Sequence, residues 1–216
     1  MRSINNIKGL ILTEALISMA TLVIASVVMS TIIQNSLSTT TMARDYMIAQ
    51  NLATEAIEAV KAVRDTNMMI RPPEINPDGA SCWLTLDPAI LITNPPPAAC
   101  PGAARLGGKY LVMQTAGRWK MVLGPAADLN LSLPNVDPIR YALFLDNGRY
   151  VQTLNPNAQM IANQSQFYRR VRFTDIAFDN NSGAITSATI EVKVEWKNGK
   201  KIRNVIRTYT LFNTLE

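Results

Sequence analysis

Lys8-Gly9-Leu10-Ile11-Leu12-Thr13-Glu14 runs without interruption into an apolar segment that ends at Ile33. Between Leu10 and Ile33 the only charged side chain is Glu14. A helix of about 24 residues rising ~1.5 Å per residue is long enough to cross a hydrocarbon layer of ~30 Å. The residues ahead of it, Met1 to Gly9, include Arg2 and Lys8 and read as a short basic leader. The segment is expected to span or leave a membrane, and the carboxylate inside it needs a physical reason.

A carboxylate at bilayer depth costs at least ~2.5 kcal/mol on the more lenient insertion scales, so it is either neutral there or partnered. No cationic side chain of the same helix lies within reach of Glu14. Cleavage after Gly9 would give Leu10 a new α-ammonium, and the same group on a neighbouring copy could lie beside Glu14. A secretory signal peptide fits less well, because its apolar core is ~7–15 residues long and ends at an Ala-x-Ala-like site.

These residues resemble the N-terminal segment of type IV pilin-like proteins: a short basic leader ending in Gly9, a long apolar helix from Leu10 to Ile33, and Glu14 as the fifth residue after the cut. Leu10 departs from the family pattern, which most often has Phe there. The resemblance implies cleavage between Gly9 and Leu10 by a prepilin peptidase, N-methylation of Leu10, and packing of the helix into a filament core through Glu14. It also implies an α+β fold, a long N-terminal helix laid on an antiparallel sheet. The chain then reads as leader 1–9, membrane or filament-core helix 10–33, amphipathic stem 34–70, Pro-rich disulfide loop 71–108 and antiparallel β head 109–216.

With 216 residues, 48% of them hydrophobic, the chain outside the anchor suffices for one modest core. The net charge of +5 is a mild basic bias, and two of those charges, Arg2 and Lys8, lie in the leader. Histidine is absent, which removes the commonest general base and the commonest metal ligand. No Ser-x-x-Lys motif, Walker loop or Gly-rich dinucleotide loop is found, so the expectation is a protein that is not an enzyme and holds no cofactor or metal. Two cysteines, Cys82 and Cys100, are expected to pair in a head outside the cytoplasm. Two free buried thiols and a metal site are the alternatives, and a lone pair without histidine is poor zinc chemistry.

No Gly or Pro interrupts the chain from Leu10 to Arg71. Tyr46, Ala49, Leu52, Ala53, Ala56, Ile57, Val60 and Val63 recur at the spacing of one helix face, so the anchor is expected to continue as a stem. Arg44, Asp45, Glu55, Glu58, Lys61, Arg64 and Asp65 then form a solvated face, and Ser36 to Thr41 is the expected weak point. The stem from Asn51 to Asp65 also resembles minor pilins of the V type.

Arg71-Pro72-Pro73 ends the helix, and the Pro-rich loop after it carries Trp83, Leu84, Leu86, Ile90, Leu91 and Ile92, expected as loop core or as a contact surface. From Lys109 strands alternate with turns, among them Ala116-Gly117-Arg118 and Asp146-Asn147-Gly148. Ile190, Val192, Val194 and Trp196 alternate with charged residues, and a three-residue loop at Asn198-Gly199 is expected to pair Val194 with Ile202 and Ile190 with Ile206.

Alternation sends Arg170 and Arg172 to one face, where with Tyr168 they could meet phosphate and a base; a solvated strand face explains them equally. Asp179 and Asn181 could hold calcium, but the loop lacks the full ligand series and reads first as an Asn/Gly turn.

The expected function is that of a minor pilin-like subunit of a type IV pilus-type filament, held in the cytoplasmic membrane before assembly, with other pilins and the prepilin peptidase as partners. A pseudopilin of a type II secretion apparatus shares the same features. A membrane-anchored extracytoplasmic binding module, with DNA as one ligand, is the reading from another class.

Overall fold

The computed structural model describes residues 5–70, 82–92, 103–132, 138–179, 185–199 and 201–213, with side chains from residue 12 onward. The chain divides into two compact units, Met1–Tyr46 and Met47–Glu216.

The first unit is helical. Helix α1 begins at Asn5 and runs to Ile70, so its first part makes up the described portion of this unit. It is long and apolar enough to cross a membrane. Leu12, Leu16, Ile17, Leu22, Val27 and Ile32 are all exposed, as expected of a helix whose solvent is lipid or other helices. The Ser/Thr run does not break it. The hydroxyls of Thr39, Thr40 and Thr41 donate to the carbonyls of Asn35, Ser36 and Leu37, one turn back, which satisfies them inside the helix.

In the second unit the remainder of α1 packs on a seven-stranded sheet whose paired strands are all antiparallel. The strands are β1 (Lys109–Thr115), β2 (Arg118–Leu123), β3 (Ala142–Asp146), β4 (Arg149–Gln152), β5 (Gln164–Phe178), β6 (Ile185–Asn198) and β7 (Lys201–Phe212). A five-residue helix, α2 (Ala158–Ala162), links β4 to β5; the Asn157 side chain caps it by accepting from the Met160 amide at 2.8 Å.

Ala49, Leu52, Ala53, Ala56, Ile57, Val60 and Val63 are buried, as their spacing anticipates, whereas Tyr46, expected on the same face, is exposed. They meet Tyr110, Val112, Phe167, Val171, Phe173, Ile190, Val192, Val194 and Val205 in one core. Asp45 and Arg64 correct the expected solvated face, since both are buried. The Arg64 Nε donates to Asp65 Oδ1 at 2.7 Å.

Within the Pro-rich region, residues 71–81 and 93–102 lie outside the described residues, and Cys100 with them. Cys82 is disulfide-bonded, and Cys100 is the only other cysteine of the sequence. The described part belongs mostly to the core: Trp83, Leu84 and Leu91 are buried, and the Trp83 indole donates to the Ile185 carbonyl at 3.2 Å. Ile90 and Ile92 remain exposed.

Two tight turns form where Gly follows a residue of positive φ: Ala116 (50°) with Gly117 (78°), and Asn147 (48°) with Gly148 (79°). The last hairpin corrects the expected register. Val194 faces Val205, Lys197 faces Ile202 and Asn198 faces Lys201, so the loop has two residues, with Gly199 first at φ +59°. A positive φ at this position favours glycine, which has no Cβ to clash there. The register also places Val205 and Leu211 in the core while Ile202 and Ile206 point away from it.

Candidate functional site

Two regions carry chemistry: the start of α1 and the head. Glu14 is the only acidic residue of the apolar segment; it is exposed and makes no hydrogen bond or ion pair with the described residues. Gly9 and Leu10, the expected cleavage and methylation positions, lie on the helical backbone just before it.

In the head, strand alternation decides the fate of the arginines. Phe167, Arg169, Val171 and Phe173 lie on the sheet face that meets α1; Tyr168, Arg170 and Arg172 lie on the other. That other face is not open. The segment after β2 crosses it, with Leu129 fully buried against Leu111 and Tyr141. The Tyr141 hydroxyl donates to the carbonyls of Pro125 (3.1 Å) and Ala127 (2.7 Å), and the Leu131 amide donates to Glu195 Oε2 at 3.0 Å. Lys193 Nζ reaches the Leu129 carbonyl at 3.2 Å. Burial, with the Asp128 charge adding to it, pushes the Tyr141 phenol up to about 12.

Arg170 is 2% exposed, with Nη1 2.5 Å from Asp128 Oδ1 and Nη2 on Glu191 Oε1. Its charge is matched inside the protein, and it presents no open cation. Arg172 is partly buried across from Glu191 on β6. Asp179 is the last described residue before residues 180–184, so the expected Asp179–Asn181 loop lies mostly outside the described residues. Among the described residues, no group of three or more acidic, cysteine or histidine side chains is placed to hold a metal.

Sequence reasoning missed a cleft on the α1 side of the sheet. One edge of β5 is occupied by β6, and the other is shared: β1 takes Val171 and Arg172, β3 takes Tyr168 and Gln164. The β3–β4 hairpin therefore wedges between β5 and the outer part of β1. Gln152 closes the narrow end: its Oε1 accepts from the Val112 amide (3.3 Å), and its Nε2 donates to the carbonyls of Tyr141 (3.2 Å) and Arg169 (2.6 Å). Beyond it β1 and β4 diverge around a cleft of about 510 Å³, walled by Gln114, Trp119, Tyr150 and Arg149, with Glu55 of α1 and Arg169 at its base.

Arg169 is 1% exposed, and its Nη1 donates to the Leu52 carbonyl (3.2 Å) and to Glu55 Oε1 (3.1 Å). Its Nε is buried and has no hydrogen-bond partner among the described residues. Burial lowers the pKa of this guanidinium, and Glu55 opposes the shift, so it stays charged. The only signal in the sequence was the alternation of β5, which puts an arginine on the core face. The strand splitting that makes the cleft leaves no local pattern.

No family model matches this chain, and no curated protein or solved structure does.

Proposed function

We propose that this protein is a minor pilin-like subunit that enters a type IV pilus-type filament through its N-terminal helix. The observation that carries the reading is the lone carboxylate of Glu14, without a partner among the described residues, on a helix whose apolar side chains are exposed around it. A helix exposed in this way needs lipid or other helices as its solvent, and a carboxylate among them needs a cation. Cleavage between Gly9 and Leu10 would supply one, as the α-ammonium of a neighbouring subunit. The second unit, a helix on an antiparallel sheet, is the head the resemblance calls for. In this reading the subunit waits in the cytoplasmic membrane with its head outside, is processed by prepilin peptidase, and joins the filament as Glu14 meets the N-methylated Leu10 of the subunit ahead.

The test is Glu14→Ala in the native host, followed by separate assay of membranes and sheared filaments. The variant should insert at least as well as the parent, since a charge has been removed from the apolar segment, and should be missing from the filament fraction. Equal incorporation of parent and variant would overturn the reading.

A further inference from the structure

The cleft beside Arg169 has three properties that together select one kind of occupant. The first is its main chain. The Gly124 amide donates to the Lys109 carbonyl, so Lys109 and alternate residues after it turn their backbone groups toward β2. Val112 and Gln114 turn theirs the other way, and Val112 is satisfied by the Gln152 and Arg169 side chains. On the opposite wall, the tight turn at Asn147-Gly148 makes Asp146–Arg149 and Phe144–Val151 the bonded pairs. Tyr150 is in a non-bonded pair, so its N–H and C=O point away from β3. Its neighbour across that pair, Leu145, sends its amide to the Asn163 carbonyl in the same manner. Gln114 and Tyr150 thus offer two strand edges to one gap, neither with a strand partner among the described residues.

The second property is charge. Arg149 is exposed with no ion-pair partner among the described residues; alternation turns it, with Asp146 opposite it in the hairpin, to the sheet face away from Tyr150. Arg169 is buried with an Nε that has no hydrogen-bond partner among the described residues, and Glu55 is the one acidic residue among those that line the cleft. The third is the pair of partly buried aromatic walls, Trp119 and Tyr150, which favour an apolar side chain between them.

We propose that this cleft binds an extended peptide segment of another polypeptide, one that carries a carboxylate next to apolar residues. The segment adds a short strand between Gln114 and Tyr150, sets an apolar side chain against Trp119 and Tyr150, and turns its carboxylate to Arg149. The inference does not depend on filament assembly.

Of the chain's three tryptophans, Trp83 and Trp196 are buried and Trp119 lines the cleft, so indole fluorescence reports the site. The experiment titrates the full chain in detergent micelles with a blocked hexapeptide of alternating valine and glutamate. Its controls are the same peptide with glutamine for glutamate, and glutarate as a free dicarboxylate. The expected result is a saturable emission shift with the acidic peptide, at least about tenfold weaker binding of the glutamine peptide, and no saturation by glutarate. Arg149→Gln should weaken the acidic peptide by about tenfold with no change in Tm. Trp119→Phe should abolish the shift while anisotropy of the fluorescein-labelled peptide still reports binding. Equal affinity for the acidic and glutamine peptides, glutarate binding as tight as the peptide, or an Arg149→Gln variant that binds like the parent would each overturn the proposal.

Discussion

Arg169 Nη1 lies 3.1 Å from Glu55 Oε1 and joins the strand that pairs with β1, β3 and β6 to the helix that covers the sheet. The two partners are unequally placed: the arginine side chain is 1% exposed and the glutamate 39%. Losing Arg169 leaves a carboxylate that can turn to water. Losing Glu55 strands a buried cation.

Glu55→Ala should therefore destabilise more than Arg169→Met, by about 3 against about 1 kcal/mol, because methionine keeps much of the buried stem and removes the charge. Urea unfolding of the full chain in detergent checks the order. A larger loss for Arg169→Met would mean that the ion pair itself, rather than the stranded charge, dominates.

Gln152 stands in for a missing strand at the closed end of the cleft. Gln152→Leu keeps the volume and removes the acceptor of the buried Val112 amide. A cost of about 2 kcal/mol is expected, with faster hydrogen exchange at Val112 as the local signature. Unchanged exchange there would show that another group takes over.

Tyr141 gives the head an alkaline limit. Its folded pKa of about 12 stands above the ordinary phenol value of 10.0, so its contribution is complete below pH 10 and is lost as pH rises toward 12. The size is about 2–3 kcal/mol. Tyr141→Phe should be less stable at pH 8, through loss of the bonds to Pro125 and Ala127, yet less sensitive between pH 10 and 12. Thermal melts of both proteins across that range test the sign.

Gly199 is the conformational pin of the last hairpin. Space is open around it, with no atom within 4 Å of an added Cβ, so Gly199→Ala meets only the backbone penalty of φ +59°. A loss of about 1 kcal/mol is expected, and Gly199→Asn should recover part of it. An alanine variant as stable as the parent would show that the loop relaxes to another register.

Much of this fold is legible in the residues. The unbroken run from Leu10 specifies the helix, the spacing of Ala49 to Val63 picks its buried face, and Asn147-Gly148 sets a hairpin. The failures have a common cause, because they concern surfaces that only tertiary structure assigns. β7 has apolar residues on both sides, Ile202 and Ile206 against Val205 and Leu211, so its pattern supports more than one register and the sheet decides. Arg170 looked available because nothing in Gly124 to Ser132 announces that this segment will lie across the sheet and bring Asp128 to it. The cleft depends on β1 and β3 sharing one edge of β5, a relation between segments about 30 residues apart that no local periodicity encodes.

The most direct measurement is the intact mass and N-terminal fragment spectrum of the protein purified from its own membranes. The expected result is a chain that begins at Leu10 and carries one added methyl group on its α-nitrogen. A chain still beginning at Met1, from cells with an active prepilin peptidase, would leave Glu14 without its proposed partner and contradict assembly through the N-terminal helix.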